Sequence, residues 1–188
     1  MRMTARDLRC IVLMKVGYHT DETLDDIIER KANEEEECGK IFWGYGGTVC
    51  HPLTQIKPFV RRALDQALRP MLVMAFTPSR FAKADSEWAR EMSVDNKVWT
   101  RIPASAYVKG SRYAIICRNF ERVNMQIDLR AYEVAVGQKK GMQLSEYIRH
   151  RVDKACAFLV REPHQEGAKG LGISYVADLV EPYAVFVR

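Results

Sequence analysis

The residues from Lys40 to His51 form the segment whose types and spacing are best suited to chemistry. The segment reads Lys-Ile-Phe-Trp-Gly-Tyr-Gly-Gly-Thr-Val-Cys-His, with three glycines within four positions and aromatic residues beside them. Glycine permits a positive φ and lets backbone N–H groups approach a ligand closely, as they do in loops that cradle phosphate. The segment therefore predicts a ligand-binding loop over residues 43–51.

The side chains around these glycines favour a nucleotide or a nucleic acid as the ligand. Aromatic side chains could stack on a base, while nearby cations could pair with phosphates. The expected ligand-binding residues are Lys40, Trp43, Gly44, Tyr45, Gly46, Gly47, Thr48, Arg61, Arg62 and Arg80. The glycine spacing matches neither a dinucleotide fingerprint nor a P-loop. A structural turn, with its aromatics packed inward against the following helix, is therefore the alternative interpretation.

Three residues could make the same site an enzyme. Cys50, His51 or His19 could act as a nucleophile or a proton-transfer group, since an imidazole titrates near neutral pH. His19 follows the first predicted strand, and ligands of open α/β sheets gather at the carboxyl ends of strands. The His19 and Trp43 loops would share one cleft if their strands run parallel, and the same rule adds Arg80. Neighbours in sequence need not meet in catalytic geometry, so whether the protein is an enzyme stays open.

Established catalytic and metal-binding motifs do not occur in the chain. It contains no H-E-x-x-H, G-x-S-x-G, S-x-x-K or EF-hand pattern. The five cysteines are widely spaced and include no C-x-x-C pair, which predicts reduced thiols rather than a disulfide framework or a zinc site. We therefore expect no metal, and no motif identifies a cofactor.

A second basic segment lies between residues 97 and 122. It contains six Lys and Arg residues against one acidic residue, Glu121, and it is interleaved with Trp99, Tyr107, Tyr113 and Phe120. Interleaved basic and aromatic side chains suit nucleic-acid backbones and bases. The alternative is that these residues occupy solvated positions of strands and loops.

Composition places the chain among ordinary globular proteins. Of its 188 residues, 47% are hydrophobic and 28% are charged, which argues against disorder and allows one continuous core. No apolar stretch reaches the roughly 18 residues of a membrane-spanning helix, and the N-terminal residues do not form a secretory signal. We expect a cytoplasmic protein that does not bind membranes.

Charge is distributed unevenly along the chain. The net charge is +5, but residues 1–39 carry 6 Lys and Arg against 10 Asp and Glu, whereas the remaining residues carry 23 against 14. A basic surface raises the local concentration of phosphates and nucleic acids without selecting a sequence. The charge of residues 40–188 is therefore compatible with an anionic ligand.

Periodicity predicts alternating strands and helices first and clustered strands later. Apolar patterns predict strands near residues 9–16, 41–43, 70–76, 98–102, 112–118, 127–136, 173–179 and 183–187, with 112–118 and 127–136 paired as a hairpin. Helical stripes predict helices over 23–38, 59–68, about 81–92 and 144–159. We therefore predict a single α+β domain over residues 1–188, a mixed central sheet of about six to eight strands with about three to four flanking helices.

A binding module for another protein is the alternative function. An inhibitor or adaptor could use the acidic run Glu34–Glu37 at the end of the first helix, which is expected to be a solvated turn. Trp43 and Tyr45, if exposed, would then be hot-spot residues of the interface.

Overall fold

The computed structural model describes residues 4, 7–19, 22–82, 87–149, 152–162 and 170–188, with the backbone alone at 18, 19 and 78–82. Its strands are β1 (Cys10–His19), β2 (Ile41–Tyr45), β3 (Met71–Ala82), β4 (Glu91–Ser93), β5 (Thr100–Arg101), β6 (Tyr113–Ile127), β7 (Tyr132–Val134), β8 (Lys154–Leu159) and β9 (Leu171–Val187). Its helices are α1 (Leu24–Cys38), α2 (Lys57–Asp65) and α3 (Leu144–Tyr147). The α+β class is confirmed.

The strands form one mixed sheet whose main order is β2-β6-β9-β3-β1-β8-β7. Beside this path, β4 pairs with β5 and with β9. Among the described strands, β1 and β3 run parallel and the other pairs are antiparallel. β1 therefore lies inside the sheet between β3 and β8, as its uninterrupted apolar run predicts.

Side chains of β1 alternate between two buried cores. Val12 packs in the core that also holds Phe59 of α2, whereas Leu13 packs in the core that holds Leu144 of α3. Burying each of these side chains stabilises the fold by about 1.5 to 3 kcal/mol. The helices thus cover opposite faces of the sheet.

The helix expected at about 81–92 is wrong. β3 continues as a strand to Ala82, and β4 pairs with β5 and β9. Before β4, Trp88 forms an isolated antiparallel bridge with Lys109; residues 83–86 lie outside the described residues. Strand partners that are distant in sequence override the helical spacing here.

The hairpin expected between 112–118 and 127–136 is also wrong, because β6 crosses the expected turn as one strand. Asn119 has a φ of 55°, and the pairing with β9 shifts register nearby. These are features of a bulge rather than of a reversal. The two expected terminal strands are likewise parts of one strand, β9, which is antiparallel to β6.

The long helix expected over 144–159 is wrong beyond its first turn. α3 ends at Tyr147, and β8 inserts between β1 and β7. Within β8, Ala155 and Ala157 face one core while Cys156 faces the other. A short apolar run fits either period, so the available strand edges decided its structure.

α1 begins and ends where the sequence predicts. Thr23 and Asp26 form the expected capping box: Thr23 Oγ1 accepts from the Asp26 N–H at 3.2 Å, and Asp26 accepts from the Thr23 N–H at 2.9 Å. Gly39 ends the helix with a φ of 69°, a left-handed conformation that favours glycine. The expectation of a solvated last turn is confirmed for Glu36 and Glu37, which are exposed, but is wrong for Glu34, which is buried.

Glu34 forms a buried ion pair with Lys31 that joins α1 to two other segments. Glu34 Oε2 accepts from Lys31 Nζ at 2.7 Å and from the Tyr107 N–H at 3.2 Å, and Oε1 accepts from the Phe42 N–H at 2.5 Å. Lys31 Nζ also donates to the carbonyls of Phe42 at 2.6 Å and Tyr107 at 2.8 Å. The pair therefore binds the backbone N–H and the carbonyl of both Phe42 and Tyr107. These hydrogen bonds fix β2 and residues 107–111 to α1.

Replacing Glu34 with glutamine should destabilise the protein strongly, because Lys31 would remain buried without its counter-charge. We expect the free energy of unfolding to fall by about 3 to 5 kcal/mol in urea denaturation. Glu36→Gln, at an exposed position of the same helix, is the matched control and should change this free energy by less than about 0.5 kcal/mol. Equal stabilities of the two variants would contradict the role of the pair.

Candidate ligand-binding cleft

A cleft of about 190 Å³ opens between the end of β1, α1, the end of β2 and residues 107–111. Four of the predicted ligand-binding residues line it: Trp43, Gly44, Tyr45 and Gly46. The loop singled out in the sequence therefore borders a cleft along its first half.

Curvature of the sheet brings the ends of β1 and β2 to this cleft. The two strands are separated by β6, β9 and β3, and counted through those pairings they run antiparallel. The parallel arrangement that would have brought the His19 and Trp43 loops into one cleft is therefore not the one that β1 and β2 adopt. Gly17 of β1 and Gly46 after β2 nevertheless line the same cleft, because the sheet bends back over the core that Met14 and Tyr45 share.

The lining of the cleft is strongly cationic. Asp153 is its one acidic residue among the described lining residues, against five cations, which we call the cleft cations: Lys15, Arg30, Lys31, Lys109 and Lys154. Arg30 is paired with Glu22, whose carboxylate accepts from Nε and from Nη2 at 3.0 Å each. Lys31 is paired with the buried Glu34. With these carboxylates counted, the groups around the cleft still carry a net charge of +2.

Two of the cleft cations come from neighbouring strands. The Lys15 N–H donates to the Asp153 carbonyl at 2.7 Å, and Lys154 pairs with Met14 across the β1–β8 ladder. Lys15 Nζ donates to the carbonyl of Ile148 at 3.2 Å, and Lys154 Nζ donates to Asp153 Oδ1 at 2.6 Å. Lys154 lies on the same face of the sheet as Met14, whereas the Lys15 side chain extends to the opposite face, where Ile148 packs. An ammonium carries three N–H donors, so the contact of Lys154 with Asp153 leaves donors for a ligand.

The three glycines of the loop serve different purposes. A methyl group at Gly44 would lie 2.5 Å from Ser111 Oγ and 2.8 Å from Val108 Cγ1, so Gly44 lets residues 107–111 pack against β2. Gly47 has a φ of 84°, and a methyl group there would lie 3.9 Å from Lys154 Nζ. At Gly46 the same methyl group would meet nothing within 4 Å. Gly46 is therefore the glycine whose backbone a ligand can approach.

The aromatic residues of the loop are packed mainly inward. Trp43 is 8% exposed and stacks on Phe120 with ring centroids 6.0 Å apart. Tyr45 is 7% exposed, and its hydroxyl donates to the carbonyl of Cys50 at 2.6 Å; burial raises the pKa of this phenol. Both residues line the cleft but are almost fully buried, so little of either ring is accessible to a ligand.

Other predicted ligand-binding residues lie outside the cleft lining. Lys40 Nζ donates to the carbonyl of Glu181 at 3.0 Å. The Arg62 guanidinium lies 4.8 Å from the ring centroid of Phe158. Thr48 and Arg61 are exposed and do not line the cleft, and Gly47 lies just behind it.

Cys50 and His51 also lie outside the cleft lining. Cys50 is 1% exposed, and its Sγ is 3.9 Å from that of Cys156. His51 caps a π-helical turn, Pro52–Ile56, by accepting from the Thr54 N–H at Nδ1 at 3.4 Å, and its ring packs edge-on against Tyr113 at 5.4 Å. Both residues therefore belong to the packed segment that connects the glycine loop to α2.

His19 and Arg80 can be placed by their backbones alone. β1 and β3 pair in parallel with Tyr18 opposite Arg80 and His19 opposite Ala82. Gly17, two residues before His19, lines the cleft. The side chains of His19 and Arg80 lie outside the described part of the structure, so their roles stay predictions.

Sequence reasoning missed Lys15, Arg30 and Lys154 as cleft residues. Lys15 carried a signal, because it interrupts an apolar run at the end of a predicted central strand. Lys154 carried none, since its stretch was assigned to a helix. Lys109 was noted only as part of the second basic segment, although it lines the same cleft as the glycine loop.

Comparison with known proteins assigns no family to this chain. No protein-family model, no curated protein and no solved structure matches it. Among the described residues, no helix has both the length and the apolar character needed to cross a membrane. The same part of the chain holds no group of three or more His, Cys, Asp and Glu residues placed to bind a metal ion. Function is therefore inferred from the cleft itself.

Gly44 and Gly46 allow a matched test of the loop. Gly44→Ala should lower the free energy of unfolding by about 1 to 3 kcal/mol, because the added methyl group overlaps Ser111 and Val108. Gly46→Ala should change it by less than about 0.5 kcal/mol, since the methyl group enters open space. Thermal or urea denaturation measures both, and a Gly44→Ala protein as stable as the wild type would contradict the close approach of residues 107–111.

Burial of Cys50 predicts that its thiol is slow to react. A short pulse of iodoacetamide should modify Cys38, the partly exposed cysteine, first. Cys50 should react about a hundredfold more slowly if its exposure requires local opening that costs about 3 kcal/mol. Peptide mass spectrometry gives the site, and a Cys38→Ser variant is the control. Rapid modification of Cys50 in that variant would instead show an accessible nucleophile.

Proposed function

We propose that this protein binds a phosphate-bearing ligand, a nucleotide or a nucleotide unit of a nucleic acid, in the cleft between β1, α1, β2 and residues 107–111. One observation carries the proposal: five Lys and Arg residues line a cleft that has one acidic residue in its described lining. Like charges held together at the surface of a low-dielectric cavity raise its potential and concentrate anions there. An anionic ligand relieves their mutual repulsion.

Lys154 is the residue that would hold the phosphate. It pairs with Met14 across the β1–β8 ladder and lies on the same face of the sheet, and its Nζ makes one contact with a described oxygen, that of Asp153. The Lys15 side chain extends from the opposite face, where its Nζ donates to the Ile148 carbonyl. Gly46 offers a stretch of backbone with open space beside it. A phosphate between the Lys154 ammonium group and this backbone would accept charge-assisted hydrogen bonds, which are about twice as strong as neutral ones.

Binding is better supported than catalysis. A catalytic group must reach the reacting atoms, yet Cys50 and His51 lie outside the cleft lining. His19 remains the catalytic candidate closest to the cleft along the chain, two residues from Gly17. We therefore propose recognition of the ligand and assign no reaction.

The alternative function, a protein-binding module, depends on an exposed acidic run and on exposed rings of Trp43 and Tyr45. Of its acidic run, Glu34 is buried, and Glu35 accepts from the backbone N–H groups of Asn119 and Phe120. Trp43 and Tyr45 are buried rather than exposed. The two aromatic rings are therefore not available as hot spots for a partner, and of the acidic run only Glu36 and Glu37 are exposed.

Titration with thymidine and adenosine monophosphates tests the proposal. The wild-type protein should bind at least one of them in calorimetry at low salt. Lys154→Gln should weaken binding about tenfold to a hundredfold, because a lost charged hydrogen bond costs about 1.5 to 3 kcal/mol. Lys139→Gln is the control, since it removes the same charge at an exposed position outside the cleft.

Two results would contradict the proposal. In one, neither a mononucleotide nor a short oligonucleotide binds to the wild-type protein. In the other, the control variant loses as much affinity as the cleft variant, which would show that net charge rather than the cleft attracts the ligand.

A further inference from the structure

Two aromatic side chains are exposed at the rim of the cleft. Trp88 is 36% exposed and Tyr107 is 43% exposed, and their ring centroids lie 5.7 Å apart with the rings edge to face. We call them the rim pair. Exposed aromatic rings cost apolar hydration, so two rings placed side by side indicate a surface that contacts a ligand.

The rim pair is continuous with the cleft cations. Tyr107 lines the cleft itself, together with Arg30 and Lys109. The Arg30 guanidinium lies 5.4 Å from the ring centroid of Trp88 and 6.0 Å from that of Tyr107, and Lys109 Nζ lies 5.3 Å from that of Trp88. Arg30 and Lys109 therefore connect the cationic lining of the cleft to the aromatic rings at its rim.

The backbone holds the rim pair in place. Trp88 bridges Lys109, the Ala89 N–H donates to the Val108 carbonyl at 2.8 Å, and the Gly110 N–H donates to the Glu87 carbonyl at 3.3 Å. Both backbone groups of Tyr107 are bound by the buried Lys31–Glu34 pair. A platform ordered in this way loses little conformational entropy when a ligand binds.

The size of the cleft indicates that it encloses only part of the ligand. Its volume of about 190 Å³ is below the roughly 300 to 1,000 Å³ of sites that bury a whole small molecule. A mononucleotide would leave the rim pair unused. A strand with a second base would reach it.

We propose that the ligand is a single-stranded nucleic acid, with one nucleotide in the cleft and the neighbouring base stacked on the rim pair. This inference rests on the proposed function of the cleft and names its substrate class. Unpaired bases stack on aromatic side chains beside a cationic groove, and each such contact contributes about 1 to 3 kcal/mol. Bases of a duplex are stacked on one another and do not present their faces.

Affinity for one nucleotide and for two tests the inference. The probes are thymidine 5′-monophosphate, the 5′-phosphorylated dinucleotide pTpT and its ribose counterpart pUpU, measured by calorimetry. The wild-type protein should bind at least one dinucleotide about 5- to 150-fold more tightly than the mononucleotide, the range that stacking of one base implies. The salt dependence of log K should also steepen by about 0.7 for the added phosphate.

Substitution of Trp88 separates stacking from charge. Trp88→Ala should reduce the ratio of dinucleotide to mononucleotide affinity to about one to three, whereas Trp88→Phe, which keeps an aromatic face, should retain most of it. Leu64→Ala is the matched control, because Leu64 is exposed on α2 outside the cleft, and it should leave the ratio unchanged. Circular dichroism melting verifies that each variant folds.

The outcomes distinguish the two proposals. Equal affinity for one and two nucleotides in the wild-type protein would overturn the single-strand inference and leave the cleft as a nucleotide site. Tighter binding of an eight-base-pair duplex than of its separate strands, unchanged by Trp88→Ala, would also overturn it. Failure of every probe to bind would instead overturn the proposed function.

Discussion

The buried ion pair of Lys31 and Glu34 holds together three of the segments that form the cleft: α1, β2 and residues 107–111. Burial lowers the pKa of Lys31, and the charge of Glu34 opposes that shift. A buried pair repays its desolvation only when its remaining donors and acceptors are satisfied. Here they are satisfied by the backbone of β2 and of residue 107, so the interaction that joins α1 to the sheet also fixes one wall of the cleft and one ring of its rim.

Curvature of the sheet is the second constraint. β6 and β9 pair along most of their length, with register shifts at three places in the ladder. Bulges of this kind increase the local twist of a strand pair. Because the long pair bends, the end of β2 reaches the end of β1, four strands away in the sheet order, and the start of β8, five strands away. The cleft has cations on one side and the glycine loop on the other for this reason.

The glycine loop illustrates how one motif can serve both structure and ligand binding. Gly44 and Gly47 are explained by packing and by a positive φ, while Gly46 faces open space. Trp43 and Tyr45 belong to the core, and the exposed rings near the cleft come instead from Trp88 and Tyr107. Basic and aromatic side chains do interleave around the cleft, as the sequence suggests, but different residues supply them.

The sequence by itself determined the elements whose signals are local. A capping box and a C-terminal glycine delimit α1, an uninterrupted apolar run marks β1 as a central strand, and a helical stripe marks α2; with their order, these predict the α+β class. Tertiary structure alone decided that residues 154–159 pair as a strand and that Glu34 is buried. It also decided that Lys15 and Lys154 line one cleft, with Trp88 at its rim. The physical reason is that strand pairing and burial depend on partners distant in the chain, which short apolar runs and single charges do not specify.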